Sequence, residues 1–355
     1  MTDHTTHELS RPLRGALIGF GNVAVHAHLP AWLKDGRYSI GAVVETSPER
    51  AEIARGLLPK ARIYETTDAL FSEESLDFVD ICTPPCFHYD QVLKACRSGL
   101  HVFCEKPLTV STPHLLDIQK AAEQARRVVF TVNNWKYAPL WIKALELVRT
   151  GAVGKVRHVS MTVLRCPNSG GGASNWRQCA EVAQGGILID HGWHNLYLIL
   201  AIVGKEPLYV AANLDSKSGH DGDLEQTVDL ALMFRGAEAR LHMTWQADCR
   251  RNFGAITGDK GTIHVDGDHL VLDTAEAPPV RFDFPEALSA GSHHAEWMEP
   301  VIADFTREIL DPAIRGSNLA EARWCAHLID LAYQSGRDGS DPLEVACPAP
   351  EACAR

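Results

Sequence analysis

The chain of 355 residues contains no apolar run of the roughly 20 residues that a membrane-spanning helix needs. Its first residues are polar and lack the apolar centre of a secretory signal peptide. Internal repeats and low-complexity segments are also missing. We therefore expect a cytoplasmic globular protein that has no membrane partner and begins with a disordered leader over residues 1–12.

The ten cysteines include no C-x-x-C pair, and several fall inside predicted strands or helices. Scattered cysteines of this kind are typical of reduced thiols and argue against a disulfide framework. A long basic block is missing too, and the formal net charge is −11. Because a negative protein without a basic patch repels nucleic acid, we expect no nucleic-acid partner.

In the first 135 residues, short apolar runs alternate with amphipathic stretches. Examples of the apolar runs are G-A-L-I-G-F (15–20), L-D-F-V-D-I-C-T (76–83) and H-V-F-C (101–104). Continuous apolar strands separated by helices predict a parallel sheet that is covered on both faces. The length suits two domains, and we assign residues 13–135 to a doubly wound α/β domain.

The second half has a different pattern, in which apolar and polar residues alternate or nearly alternate. The alternating segments are 156–164, 227–234, 239–245 and 261–265. They predict a mostly antiparallel sheet with one covered face, interrupted by helices near 185–203 and 318–336. We assign residues 136–340 to this α/β domain and residues 341–355 to a C-terminal tail. The glycine-rich stretch 169–174 predicts a mobile loop.

The stretch G-F-G-N-V-A (19–24) follows the first predicted strand, opens a helix and fits the dinucleotide-binding pattern G-x-G-x-x-G/A. Its first glycine allows a tight turn, and its second lets the backbone approach a pyrophosphate at the helix N-terminus. Glu45 ends the second strand, where a carboxylate accepts hydrogen bonds from ribose hydroxyls and repels a 2′-phosphate. We therefore predict NAD, with NADP as the alternative if Arg50 turns inward; Glu45 as a plain solvated strand end also stays open. The predicted cofactor contacts here are Gly19, Phe20, Gly21, Asn22, Val23 and Glu45.

Polar residues also follow two later strands of the predicted sheet. One strand end is I-C-T-P-P-C-F-H (81–88), and the other is E-K-P (105–107). Ligands of a doubly wound sheet bind beyond the carboxyl ends of its strands, so both stretches should face the nicotinamide. A lysine in a strand–helix loop is usually a surface residue, but the proline that follows Lys106 fixes the backbone at this edge. We predict cofactor contacts by Thr83, Pro84, His88 and Lys106.

The predicted helix near 185–203 is apolar nearly all the way round and should be buried. Its first half nevertheless carries Asp190, His191 and His194. In an α-helix, Asp190 and His194 are four residues apart and share one face. Buried polar groups need partners, which a simple core hydrogen-bond pair or a substrate would supply. A metal site would need a further ligand cluster, and none is evident, so we predict no metal.

Trp176 and Arg177 follow the glycine-rich stretch. An aromatic face beside a guanidinium suits a polyhydroxylated ring. A Trp–Arg stack within a loop is the alternative interpretation.

In their order and spacing, these motifs resemble the glucose–fructose oxidoreductase/inositol dehydrogenase (Gfo/Idh/MocA) family. The resemblance covers about residues 13–340. Its motifs are G-F-G-N-V-A with H-L-P (28–30), T-P-P-C-F-H, E-K-P, G-G-x-x-x-D-x-G-x-H (185–194) and G-D-K-G-T-I-H-V (258–265). It implies an N-terminal Rossmann domain and a C-terminal α/β domain with a large, mostly antiparallel open sheet that often builds dimers or tetramers. We therefore expect a homodimer or homotetramer and an NAD(P)-dependent dehydrogenase or reductase that acts on CH–OH groups of a sugar, cyclitol or related polyol.

The resemblance also implies roles for individual residues. In the family the lysine of E-K-P reaches the reacting hydroxyl, and the Lys-Pro peptide is commonly cis. Carried over, Lys106 contacts the substrate oxygen with Asp190 and His194 opposite it, and Glu105 belongs to the nicotinamide surroundings. Lys136 stands where the family often has arginine, which leaves the role of that contact open. The predicted substrate contacts are Asn134, Lys136, Trp176, Arg177 and His191.

Alcohol oxidation requires a base, and the ordinary pKa of histidine, about 6.5, suits that task better than the pKa of lysine, about 10.4. We therefore predict that His194 carries the proton, oriented by Asp190, while Lys106 stabilises the alkoxide. Two alternatives remain: a redox-neutral enzyme that cleaves or eliminates after transient oxidation, and a non-catalytic dinucleotide sensor. The presence of all three polar residues argues against the sensor, whereas the redox-neutral enzyme would use the same residues.

Overall fold

The computed structural model describes residues 9–166, 176–216, 224–291 and 293–346. The described residues form two compact units. The first unit lies within Met1–Thr109, Pro113–Asn134 and Ser292–Ala322, and the second within Val110–Thr112, Trp135–Gly291 and Arg323–Arg355. The predicted mobile loop at 169–174 lies outside the described residues, as do residues 1–8 of the predicted leader and 347–355 of the predicted tail.

The secondary structure alternates strand and helix early in the chain and is mostly strand later. The strands are β1 (Leu13–Ile18), β2 (Tyr38–Val44), β3 (Arg62–Tyr64), β4 (Phe78–Ile81), β5 (His101–Cys104), β6 (Val129–Thr131), β7 (Val156–Leu164), β8 (Pro207–Ser216), β9 (Glu225–Phe234), β10 (Ala237–Thr244), β11 (Arg251–Gly258), β12 (Gly261–Asp266), β13 (His269–Thr274), β14 (Ala277–Asp283) and β15 (Leu343–Glu344). The α-helices are α1 (Leu29–Lys34), α2 (Pro48–Leu57), α3 (Thr67–Glu73), α4 (His88–Arg97), α5 (Thr112–Ala125), α6 (Pro139–Arg149), α7 (Ala180–Ala183), α8 (Trp193–Val203), α9 (Ala295–Leu310) and α10 (Ser317–Arg337).

The first unit contains a six-stranded parallel sheet with the order β3-β2-β1-β4-β5-β6. This is the strand order of a Rossmann domain, so the predicted doubly wound sheet is confirmed. Every residue of β4, β5 and β6 is buried, which explains why these strands read as continuous apolar runs.

An aromatic cluster fills the core of the first unit. Trp32 packs on Phe78 with ring centroids 4.9 Å apart, and Phe103 packs edge-on against Phe305 at 5.3 Å. Phe305 lies on α9, which follows the second sheet in the chain but belongs to the first unit. The sequence assigned this segment to the second domain because chain order does not reveal where an amphipathic helix packs.

The open edge of β6 is closed by one side chain. Asn318 accepts a hydrogen bond from the Thr131 N–H at 2.6 Å and donates one to the Thr131 carbonyl at 3.0 Å, as a neighbouring strand would. The buried carboxylate of Glu308 holds Asn318 in place by accepting its backbone N–H at 2.8 Å. This amide is therefore the acceptor for the edge N–H of Thr131 and a second donor to the Thr131 carbonyl, which also accepts the Asn133 N–H at 2.8 Å.

The second unit contains a nine-stranded sheet with the order β14-β13-β12-β11-β7-β10-β9-β8-β15. All of its pairs are antiparallel except β7 with β10, which confirms the predicted mostly antiparallel sheet. Strands β8, β11, β13 and β14 were not predicted. Strand β15 lies in the segment predicted as a C-terminal tail. It is a strand because Leu343 pairs with Val210 at the sheet edge.

One helical stretch among the described residues, Ala180–Val203, has the length and apolarity of a membrane-crossing helix. Of its most apolar window, 72% is buried inside the protein. The α8 part of this stretch packs on β7 and β10 of the second unit. Burial against the sheet therefore accounts for its all-round apolar composition.

Replacing Asn318 by alanine should lower the stability of the protein, because the buried Thr131 N–H loses its acceptor and the Thr131 carbonyl keeps only the Asn133 N–H. We expect a loss of about 1–3 kcal/mol and a drop of several degrees in the melting temperature. Thermal unfolding of N318A measures it, with N213A as the matched control, since Asn213 is exposed on β8. Equal melting temperatures for N318A and N213A would refute the role of this amide.

Candidate active site

The glycine loop of the first unit has the backbone of a dinucleotide-binding turn. Gly19 adopts φ +85°, and a Cβ there would lie 3.0 Å from Thr83 Cγ2, so a side chain is excluded by both conformation and space. A Cβ on Gly21 would meet nothing within 4 Å. That open space beside the loop fits the approach of a pyrophosphate. The helix that follows begins with a π-turn, Ala24–His28, before α1.

Glu45 holds this loop as well as ending β2. Its carboxylate accepts the Phe20 N–H and the Ser47 N–H, each at 2.8 Å. These bonds rule out the interpretation of Glu45 as a plain solvated strand end. Arg50 donates to the Phe20 carbonyl at 3.3 Å and to Asn22 Oδ1 at 3.5 Å, so a cation also lies at the loop.

His88 joins the two polar strand ends that the sequence singled out. Its imidazole is fully buried, with Nε2 2.7 Å from the Thr83 carbonyl oxygen and Nδ1 2.8 Å from the Pro107 carbonyl oxygen. Burial lowers the pKa of His88, although both carbonyls oppose that shift. The Lys106–Pro107 peptide is cis, as the resemblance implied. Any influence of His88 on a cofactor therefore acts through the backbone of these strand ends.

A chain of buried charged groups runs from β4 to the end of β5. The His28 imidazole lies between two carboxylates, with Nδ1 2.9 Å from Asp80 Oδ2 and Nε2 2.9 Å from Glu105 Oε1. The second oxygen of Glu105 accepts the Lys106 N–H at 3.1 Å. Trp32 Nε1 donates to Asp80 at 2.7 Å. These bonds connect the helix after the glycine loop to the E-K-P strand end.

The hydrogen bonds and charges of this buried series keep His28 and Glu105 in their charged forms. Burial by itself lowers the pKa of His28, but Asp80 outweighs it and the net pKa lies well above 6.5. Burial likewise raises the pKa of Glu105, but the His28 hydrogen bond and the charges of His28 and Lys106 bring the net pKa below its usual value. Asp80, His28 and Glu105 therefore form an alternating series of anion, cation and anion.

Ligand atoms of His28, Asp80 and Cys82 lie within 4.8 Å of one another, a spacing that a metal ion would accept. Both imidazole nitrogens already face carboxylates, and Asp80 also accepts the Trp32 N–H. Hydrogen bonds therefore account for this group, and the expected lack of a metal stays a prediction.

In the second unit, the motif that begins with Gly185 and Gly186 is shaped by Glu225. The buried carboxylate of Glu225 accepts the N–H groups of Gly186 and Leu188, each at 2.9 Å, and the hydroxyl of Tyr333 at 2.9 Å. A Cβ on Gly186 would lie 2.1 Å from the Glu225 carbonyl oxygen. The second glycine of the motif is therefore required by close packing at the start of the helix.

Asp190 lies in a π-turn, Leu188–Gly192, that precedes α8. Arg177 Nε donates to Asp190 Oδ1 at 3.4 Å, and His191 Nε2 lies 3.5 Å from Asp190 Oδ2. The Arg177 guanidinium also stacks over the Trp176 ring at 4.4 Å. The structure thus brings together four residues that the sequence proposed for substrate binding and catalysis.

His194 has a partner that the sequence analysis missed. Its Nδ1 lies 2.8 Å from the Tyr197 hydroxyl, which also accepts the Trp135 N–H at 2.9 Å. The Trp135 ring stacks on the imidazole at 4.6 Å with an interplanar angle of 10°. The expected shared face of Asp190 and His194 assumed α-helical spacing, and the π-turn changes it. Tyr197 lies one turn after His194, so i,i+3 spacing was a usable signal.

Two further predicted contacts lie near the junction of the units in the sequence. Asn134 Oδ1, in the first unit, is buried and has no partner among the described residues, so it can accept a hydrogen bond from a ligand. Lys136 Nζ, in the second unit, lies 5.7 Å from the Tyr137 ring centroid. Nothing in the sequence pattern indicated the roles of His28, Asp80 or Trp135.

Two family models match parts of this chain. Residues 13–133 match the model of an oxidoreductase family with an NAD-binding Rossmann fold, and residues 141–264 match the GFO/IDH/MocA C-terminal domain. The chain belongs to the Gfo/Idh/MocA family.

Curated members of the Gfo/Idh/MocA family are similar to this chain at modest identity. D-glucoside 3-dehydrogenase of Escherichia coli is 28% identical over 55% of this chain and 55% of its own length. Inositol 2-dehydrogenase of Rhizobium meliloti is 26% identical over 73% of this chain and 77% of its own length. A levoglucosan dehydrogenase structure in complex with NADH and levoglucosan has a TM-score of 0.80 at 22% identity, covers 94% of this chain and 100% of its own, and shows the shared fold.

The family confirms the predicted fold class, the NAD(P) cofactor and the class of NAD(P)-dependent dehydrogenase or reductase acting on CH–OH groups. The individual site residues stay predictions. In this chain, Glu45 holds the glycine loop by hydrogen bonds, and Glu225 does the same at the start of the polar helix motif.

A side chain at Gly21 should block the cofactor without disturbing the fold, because its Cβ would point into open space. We expect G21A to keep the melting temperature of the cofactor-free protein and to bind NAD about tenfold or more weakly. Titration calorimetry with NAD measures the affinity. The matched control is G36A, where a Cβ also meets nothing within 4 Å. Unchanged NAD affinity in G21A would count against the loop as the pyrophosphate site.

Replacing His28 should lower the stability of the protein by an amount that depends on pH. Because the folded-state pKa of His28 is raised above 6.5, its ionic contribution is fully present below about pH 6.5 and is lost as the pH rises towards the folded-state pKa. The difference in melting temperature between wild type and H28Q should therefore be largest at acidic pH and shrink with alkalinity. H264Q, on an exposed histidine of β12, serves as the control. A difference that grows with pH would contradict the imidazolium assignment.

Proposed function

We propose that the protein transfers a hydride between nicotinamide and a hydroxyl-bearing carbon of a sugar, cyclitol or related polyol. The observation that carries the proposal is the buried His194 imidazole, which Tyr197 and Trp135 align within the family motif G-G-x-x-x-D-x-G-x-H. A buried, oriented imidazole suits proton transfer near neutral pH. The names of the glucoside and inositol dehydrogenases support the same substrate range.

His194 carries the substrate proton in this mechanism. In the tautomer whose Nδ1–H donates to Tyr197, the basic nitrogen is Nε2, which takes the proton from the alcohol. The stacked Trp135 ring keeps the imidazole plane fixed during that step. The negative charge of Asp190 favours the imidazolium that forms, and Arg177 and His191 keep the carboxylate in place.

Lys106 stabilises the alkoxide that develops as the proton leaves. Glu105 bonds to the Lys106 backbone N–H, and His28 fixes Glu105, so the strand end that carries the lysine is held rigidly. When bound, NAD(P) supplies the acceptor or donor of the hydride. Glu45 favours NAD, because its carboxylate stands at the loop where a 2′-phosphate would be repelled, and Arg50 at the same loop is the cation that would accommodate NADP.

We also propose that the protein forms a homodimer or homotetramer through the second sheet. Tyr209 on β8 and Met233 on β9 are paired in register, and 44% and 45% of their surfaces are exposed. Neighbouring large apolar side chains on an open sheet favour association with another copy. The comparisons do not favour the redox-neutral or sensor alternatives, although one relative is named a hydratase, which is a redox-neutral enzyme.

Removing either proposed reacting group should abolish most turnover. We expect K106M and H194N each to lower kcat/KM by about 10²–10⁴-fold while the melting temperature changes little. The assay follows reduced-nicotinamide absorbance with NAD or NADP and a panel of sugars, inositols and glycosides. K94M is the matched lysine control, because Lys94 is an exposed ion-pair residue of α4. Turnover of K106M within about threefold of wild type would sink the assignment.

A further inference from the structure

Arg165 is a buried cation, and two of its three guanidinium nitrogens have no hydrogen-bond partner in the described part of the chain. It follows β7, and its backbone N–H donates to the Thr244 carbonyl at 2.9 Å, so it extends the parallel β7–β10 pair. The residue is 1% exposed. Its Nη1 donates to the Leu164 carbonyl at 2.7 Å and to Asn252 Oδ1 at 2.9 Å. Among the described residues, Nε and Nη2 have no hydrogen-bond partner.

The unused atoms share one chemistry, because all of them are donors. The Asn252 side-chain nitrogen, Nδ2, is also buried and lacks a partner within the described ranges. Nε and Nη2 form the side of a guanidinium that meets both oxygens of a carboxylate. The same protein uses this pair of atoms elsewhere: Arg37 offers Nε and Nη2 to Asp35 at 2.9 and 2.6 Å, and Arg251 offers them to Asp266 at 2.9 and 2.5 Å.

The charges around Arg165 also favour an added anion. Burial and, to a lesser extent, the nearby charge of Arg250 lower the pKa of Arg165 to about 10, while Asp190 and Cys166 act in the opposite direction. Arg250 itself donates to the carbonyls of Ser289 and Gly291, at 2.8 and 3.0 Å, and these are neutral acceptors. A buried cation without a bound anion is costly, and a charged acceptor would offset that cost.

We propose that Arg165, through Nε and Nη2, together with the Asn252 amide, binds a carboxylate of the substrate. The substrate class is then a sugar acid, such as a uronate or an aldonate, and not a neutral sugar. The inference rests on the proposed function, because it names the substrate of the site that contains Asp190. The π-turn that carries Asp190 packs on β10, and the last residue of β10, Thr244, accepts the Arg165 N–H, which supports placing both side chains in one substrate site of the second unit.

A binding experiment tests the carboxylate without requiring turnover. Protein saturated with NADH, which cannot accept a hydride, is titrated with D-glucuronate, D-gluconate, D-glucose and D-glucose 6-phosphate, and affinity is followed by calorimetry and by the shift in melting temperature. We expect one or both carboxylates to bind about tenfold or more tightly than glucose. R165M should abolish that preference, and R165K should restore it only in part, because lysine keeps the charge but not the paired donors.

Two further variants separate recognition from folding. N252D places a carboxylate beside Arg165 while keeping the oxygen that Nη1 already uses, so it should remain folded and lose sugar-acid binding about tenfold. R240M is the matched control, since Arg240 is an exposed arginine of β10, and it should bind as wild type does. Normal sugar-acid affinity in folded N252D and R165M would overturn the inference. Binding of glucose 6-phosphate alone through Arg165 would overturn the carboxylate assignment.

Turnover distinguishes this inference from the function on which it rests. If neutral sugars are oxidised as well as sugar acids, and R165M leaves the ratio of their kcat/KM values unchanged, the carboxylate site is wrong and the dehydrogenase stands. If sugar acids bind through Arg165 but the NADH signal never grows with any substrate, the recognition site stands and the proposed reaction fails.

Discussion

A buried imidazole between two carboxylates holds together the cofactor-binding edge of the first unit. Through His28 the helix that follows the glycine loop is bonded to β4 by Asp80 and to the end of β5 by Glu105. None of these groups is stable in the core alone, because each carries a charge that burial penalises. Their mutual neutralisation therefore fixes three separate elements at once, and the position of the Lys106 backbone depends on it.

In the second unit, backbone N–H groups stabilise a buried carboxylate, that of Glu225. The π-turn that carries Asp190 begins where N–H groups have no partner within the helix, and Glu225 accepts two of them. The close approach of Glu225 is tolerated only because Gly186 has no side chain. Orientation of His194 then follows from packing against Trp135 and Tyr197 on the same unit.

Much of this architecture can be predicted from the sequence. The periods of apolar residues predicted the parallel and antiparallel sheets, and the order of the G-F-G-N-V-A, E-K-P and G-G-x-x-x-D-x-G-x-H motifs indicated the family. Local sequence patterns gave the wrong assignment for segments whose structure depends on contacts with distant parts of the chain. Helix α9 joins the first unit because Phe305 completes an aromatic core built more than 160 residues earlier in the chain, and β15 becomes a strand only by pairing with β8.

The sequence by itself determined the fold class, the dinucleotide loop and the identity of the polar residues at strand and helix ends, because these depend on local periodicity and on residue types at short spacing. Only the tertiary structure decided which polar groups are partners. The pairing of His28 with Asp80 and Glu105 joins residues 52 and 77 positions apart. That Arg165 has donors without a partner among the described residues is visible only in three dimensions, because hydrogen bonding depends on distance and angle in space and not on distance along the chain.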